Sequence, residues 1–167
     1  MNDKSEFEKL LKKSLADVTD ILEEKSGEVD SGGYTKSYHR VLVSHDDLYE
    51  DIEDVDFVHK KPGIQQKISN ELKTKKFNFK HSHILDLHGF NPAQAEEQIN
   101  IFIEHHYNRN TKYVLIIHGK GTKNQSKIAP IKNLVEKIIL ASPYILAANS
   151  ANKNNGGRGA TVLLIKK

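Results

Sequence analysis

The sequence predicts an α/β fold: a βαβαββ order with a mostly parallel four-stranded sheet and an antiparallel last strand, preceded by an N-terminal helix and an acidic linker. Three observations predict it. From His83 onward, short apolar runs alternate with amphipathic stretches of helical length, as strands joined through crossover helices do. Both of those stretches open on a proline, Pro92 and Pro130, where a fixed φ and a missing N–H suit the first helical turn. Charge divides by position, with 8 Lys+Arg against 16 Asp+Glu in residues 1–60 and 17 against 6 in residues 61–167. An acidic arm therefore precedes a basic domain.

In chain order, the apolar residues Phe7, Leu10, Leu11, Leu15, Val18, Ile21 and Leu22 fall on one helical face, so residues 1–23 are read as an amphipathic helix. Residues 24–60 are read as linker, because GEVDSGG breaks the pattern and DDLYEDIEDVD carries like charges that favour extension. Residues 61–82 form a basic leader, with a short helix over Ile64 to Thr74 after the Pro62-Gly63 turn signal. Residues 83–167 form the α/β domain.

Within that domain Ile84 to Leu87 is a short strand, Asn91 caps a helix that runs to about Asn108, and Tyr113 to Ile117 is an apolar strand of the kind covered on both faces. Ile131, Leu134, Val135, Ile138 and Ile139 mark the buried face of a second helix that Pro143 closes. Tyr144 to Ala148 and Thr161 to Ile165 complete the sheet. His105 and His106 are adjacent on a helix and cannot both face one metal; they are read as structural or surface residues.

With no cysteine in 167 residues, disulfides, thiolate nucleophiles and cysteine-ligated metals are excluded. No apolar run approaches the ~18 residues that span a bilayer, and the first residues lack the apolar core of a secretory signal. A cytoplasmic location without membrane partners is expected. Positive charge concentrated on a compact domain points to a phosphate-bearing partner.

Parallel strands joined through helices open their carboxyl ends onto one sheet edge, where such sheets bind ligands. Asp86-Leu87-His88-Gly89, His118-Gly119-Lys120-Gly121 and the loop from Asn149 to Gly159 all fall there. Asp86 and His88 are two residues apart, so in an extended strand both side chains would share a face and form a carboxylate–imidazole pair. Glycines at 119, 121, 156, 157 and 159 leave backbone bare enough to nest an anion, with Lys120 and Arg158 adding charge. GKGTK lacks the spacing of a nucleoside triphosphate loop.

LDLHG (85–89), IIHGKG (116–121) and GGRGAT (156–161), in this order and spacing, resemble the Smr (small MutS-related) domain over about 85 of the 167 residues. The leader more faintly resembles that of stand-alone bacterial Smr proteins. The resemblance implies the same βαβαββ order folded as a two-layer sandwich, and endonuclease activity on RNA or DNA. It implies Asp86, His88 and His118 as catalytic residues, with nucleic acid held by Gly89, Gly119, Lys120, Gly121, Gly156, Gly157, Arg158 and Gly159. His88 and His118 would share acid and base work on a phosphodiester, and RNA, which brings its own 2′-hydroxyl nucleophile, is favoured over DNA. No metal ligand and no cofactor are predicted, though a divalent metal stays open. The alternative is a non-catalytic RNA- or ribosome-binding module in translation quality control, with the N-terminal helix as the ribosome contact.

Overall fold

A computed structural model describes residues 39–50, 55–121 and 128–167. The helix expected in residues 1–23 lies outside the described residues.

The second helix, α2 in chain order, follows from its cap. The Asn91 side chain accepts from the Gln94 N–H at 2.9 Å and the Gln94 side chain accepts from the Asn91 N–H at 3.2 Å. Two orphan donors of the first turn are thereby satisfied, and Pro92 needs no partner. The described elements are β1 (Val58–Lys60), α1 (Gln66–Thr74), β2 (Ile84–Asp86), α2 (Pro92–Asn108), β3 (Tyr113–Ile117), α3 (Pro130–Ala141), β4 (Ile145–Ser150) and β5 (Ala160–Ile165), with single 3-10 turns at Asp46–Tyr49, His81–His83, Lys153–Asn155 and Gly157–Gly159.

The α/β class and the βαβαββ order over β2 to β5 stand, but strand neighbours differ from the expectation. The sheet has five strands in the order β1-β4-β5-β3-β2. Strands β2 and β3 pair in parallel, and β5 inserts between β3 and β4, antiparallel to both. β4 therefore runs in the direction of β3 without touching it, and three of the four ladders are antiparallel. Apolar pattern specifies which faces are buried and not which strands adjoin, so adjacency could not be read from it.

Alternation along β3 divides the core. Val114 and Ile116 pack with Ile99 and Ile103 of α2 and with Leu134, Val135 and Ile138 of α3. Leu115 and its neighbours in β5, Val162 and Leu164, pack instead with Leu72 of α1 and with Phe77 and Phe79. The leader thus covers the second face of the sheet, a layer beyond the two expected.

Part of the expected linker is integral to this fold. The Val41 N–H donates to Asn100 Oδ1 at 2.9 Å and the Val43 N–H to Glu96 Oε1 at 2.7 Å, while His45 Nε2 lies 2.9 Å from Glu96 Oε2. Leu48 is fully buried in the core, and the Asn133 amide donates to its carbonyl at 2.8 Å. Val58–Lys60 pairs with β4 as an edge strand. Side chains of α2 and α3 satisfy backbone groups of residues 41–50, and β4 those of residues 57–60, so both segments are tied to the fold although the stretch they belong to is acidic. A partner supplied by distant helices leaves no local signal.

Candidate functional site

Register brings the three motifs to one edge. Asp86 is opposite Ile117 on β3, and Ile117 is opposite Ala160 on β5. The residues that follow Asp86, those that follow Ile117 and those that precede Ala160 therefore leave the sheet side by side.

Asp86 Oδ1 accepts from the backbone N–H of His88 at 2.9 Å. This Asx turn, with Gly89 at φ +79° behind it, replaces the expected carboxylate–imidazole pair. A strand that ends at Asp86 turns His88 off the face the two would have shared. The His88 ring is exposed, and no described side chain hydrogen-bonds it.

His118 is bound on both nitrogens. Nδ1 donates to the Gly119 carbonyl at 2.9 Å, which leaves Nε2 to accept from the Thr161 hydroxyl at 3.0 Å. Burial pushes its pKa down to about 4, with the Lys132 ammonium adding to the effect. At neutral pH this imidazole is uncharged, so it can accept a proton and has none to donate as an acid. The two histidines thus have different surroundings, His88 an exposed ring and His118 a partly buried one held on both nitrogens.

The glycine loops are tied to each other. The N–H groups of His118 and Gly119 both donate to the Gly159 carbonyl, at 3.0 and 2.9 Å. The Gly157 N–H donates to Asn152 O and the Gly159 N–H to Gly156 O. Three of the amides expected to nest an anion, those of Gly119, Gly157 and Gly159, are therefore engaged within the protein. Gly121, at φ +69°, stands where any Cβ would collide with the side chain of Ala129.

Lys120 and Arg158 meet in a cleft of about 700 Å³ with Lys73, Lys153, Ser150, Asn152 and Asp56. Asp56 bridges two of these cations, with Lys73 Nζ at 3.1 Å and Arg158 Nε at 3.3 Å. The Lys73 ammonium and then Arg158 hold its carboxyl below the usual range. Lys120 and Arg158 belong to the motifs, whereas Lys73 and Asp56 reach the cleft from the segments assigned to leader and linker, and Lys153 from the loop beside the GGRGA motif. A smaller cavity of about 110 Å³ lies between His118, Gly121 and the start of α3. Lys132 lines it, only 6% exposed, with Nζ 3.8 Å from Glu136 Oε1. A lysine on an amphipathic helix ordinarily faces solvent, and nothing in the spacing marked this one.

Among the described residues no group of three or more His, Asp or Glu side chains converges as metal ligands do, and no described helix is long and apolar enough to cross a membrane.

Residues 85–166 match the family model of the Smr domain. The chain is 34% identical to endonuclease MutS2 of Carboxydothermus hydrogenoformans over 104 residues, 62% of this chain and 12% of that one. It is 29% identical to endonuclease MutS2 of Lactococcus lactis subsp. cremoris over 114 residues, 68% of this chain and 14% of that one. The chain thus spans about an eighth of the length of these relatives. Its fold is similar to the crystal structure of YdaL, a stand-alone small MutS-related protein from Escherichia coli, with a TM-score of 0.59, 22% identity and coverage of 68% of this chain and 86% of that one.

Proposed function

Because residues 85–166 form an Smr domain, we propose that this protein is a nucleic-acid endonuclease that prefers RNA. The observation that carries the reading is an exposed His88 ring, hydrogen-bonded by no described side chain, on the sheet edge where two interlocked glycine loops and a basic cleft also lie. The name of the MutS2 relatives, endonuclease, supports the nuclease activity alone.

In this reading His88 is the proton-transfer residue and His118 a positioning residue that locks the HGKG loop to β5. On RNA the base removes the proton of the 2′-hydroxyl, whose oxygen attacks phosphorus. The bond to the 5′-oxygen breaks and that oxygen takes a proton from water, while the proton gained by His88 returns to solvent, leaving a 2′,3′-cyclic phosphate and a 5′-hydroxyl. Lys120 stabilises the added charge on the phosphoryl oxygens. The nucleophile comes from the substrate, so this route needs no metal-activated water.

Cleavage of defined RNA and DNA oligonucleotides with end-group mapping tests it. Chelator-resistant cutting of RNA to a 5′-hydroxyl is expected. A strict magnesium requirement with 5′-phosphate products would overturn the mechanism, and no cutting of either would overturn the activity.

One observation favours a second reading, a non-catalytic RNA- or ribosome-binding module. Asp86 and His118, two of the three residues assigned to chemistry, are held in hydrogen bonds within the protein. In that case His88→Ala leaves affinity for RNA, and with it the function of the domain, intact. Deleting residues 1–24 would then weaken ribosome association without altering affinity for free RNA.

A further inference from the structure

We propose that the cleft between α1 and the Gly157–Gly159 turn is a backbone-phosphate subsite, and that Asp56 occupies the position of the phosphate when the protein is free. The inference rests on the nucleic-acid reading above and adds to it Asp56, Lys73 and Lys153, which lie outside the three motifs. Asp56 places its two carboxylate oxygens on two different cations, one on Lys73 at 3.1 Å and the other on Arg158 at 3.3 Å. A phosphodiester presents the same thing: one negative charge spread over two oxygens that accept from separate donors. Lys120 and Lys153 line the same cleft without a carboxylate partner in it, and Ser150 and Asn152 supply further polar surface.

The geometry also shows how the exchange proceeds. Phe57, next to Asp56, is fixed to Ser150 by two bonds of 2.8 Å, from the Phe57 N–H to Ser150 Oγ and from the Ser150 N–H to the Phe57 carbonyl. The backbone at Asp56 is therefore held at the rim, and rotation of one short side chain vacates the position. The ion pairs to be broken are half-exposed, and such pairs are weak. A phosphate that arrives with Lys120 and Lys153 already engaged by its neighbours displaces the carboxylate.

Affinity of the full-length chain for a labelled single-stranded 2′-O-methyl oligoribonucleotide, which cannot be cut through its own hydroxyl, and for DNA of the same sequence tests this across a salt series. Asp56→Asn is expected to tighten binding to both probes by roughly five-fold at low salt, since two weak pairs no longer compete. It should also steepen the salt dependence by about one unit, because the phosphate then releases its counterion without a freed carboxylate recapturing one. Adding Lys73→Ala to Asp56→Asn should bring affinity back to the wild-type level or below. Tightening on the RNA probe alone supports the subsite and adds a ribose contact. Unchanged or weaker binding by Asp56→Asn, with wild type binding well, overturns the subsite and makes Asp56 a brace between leader and loop. A gain that survives Lys73→Ala overturns it as well. If wild type binds neither probe, the nucleic-acid reading falls first and the subsite with it.

Discussion

Thr161 Oγ1 lies 3.0 Å from His118 Nε2, and this bond joins the end of β3 to the start of β5. The hydroxyl is the donor, because His118 already spends its one N–H on Gly119. Thr161 is 1% exposed. Thr161→Val should therefore leave a desolvated imidazole nitrogen unpaired and destabilise the protein by roughly 1–3 kcal/mol, whereas Thr161→Ser should retain most of the stability. Urea unfolding of the three proteins checks this, and equal midpoints would show that the bond contributes nothing.

Two histidines make the fold acid-sensitive. Burial first, and then the neighbouring His105, push His106 to about 4; burial pushes His118 to about 4 as well. Both stay neutral in the folded chain between about 4 and the ordinary value of 6.5, while the unfolded chain takes up protons there. Stability is thus full above pH 6.5 and falls as pH drops from 6.5 towards 4, by on the order of 3 kcal/mol for each histidine. Unfolding midpoints should stay level down to about pH 6.5 and fall below it for wild type, and fall less steeply for His106→Asn. A flat wild-type profile would contradict the buried neutral state.

Leu48 separates a packed arm from a tether. Its side chain is fully buried against the helix layer, so Leu48→Ala should cost about 2–5 kcal/mol through lost burial and the cavity left behind. A stability change near zero in thermal unfolding would mean that the segment around Leu48 is not part of the folded unit.

His88 and Asp86 divide the proposed chemistry. If the His88 ring transfers the proton, His88→Ala should lower the rate of RNA cleavage by roughly 10²–10⁴ with affinity nearly unchanged. Asp86→Asn keeps an acceptor oxygen for the His88 N–H and should have a much smaller effect. Loss of affinity in step with rate in His88→Ala would make the ring a binding contact instead.

Gly121 has φ +69° and no room for a Cβ beside Ala129. Gly121→Ala should lower stability by about 1–3 kcal/mol through backbone strain alone, and more if Ala129 cannot shift. Gly89, also at positive φ but with open space around it, should tolerate alanine at a smaller cost. The comparison of the two melting temperatures checks whether the collision or the backbone conformation dominates.

The sequence by itself determined the elements and where their ends cluster. Asn91 with Pro92, and Pro130, start helices through local hydrogen bonds and a fixed φ; Tyr113 to Ile117 is a strand because its apolar run is too short for a helix and bounded by polar residues. These are interactions within a few residues of chain, and so they are written locally. Only the tertiary structure decided that β5 lies between β3 and β4, that Leu48 is core, that Asp86 caps a turn instead of pairing with the His88 ring, and that Asp56 sits on Lys73 and Arg158. Each of those outcomes except the Asp86 turn joins residues tens of positions apart. The turn itself depends on the strand stopping at Asp86, beside the end of β3. Burial and charge pairing act through space, so no spacing along the chain records them.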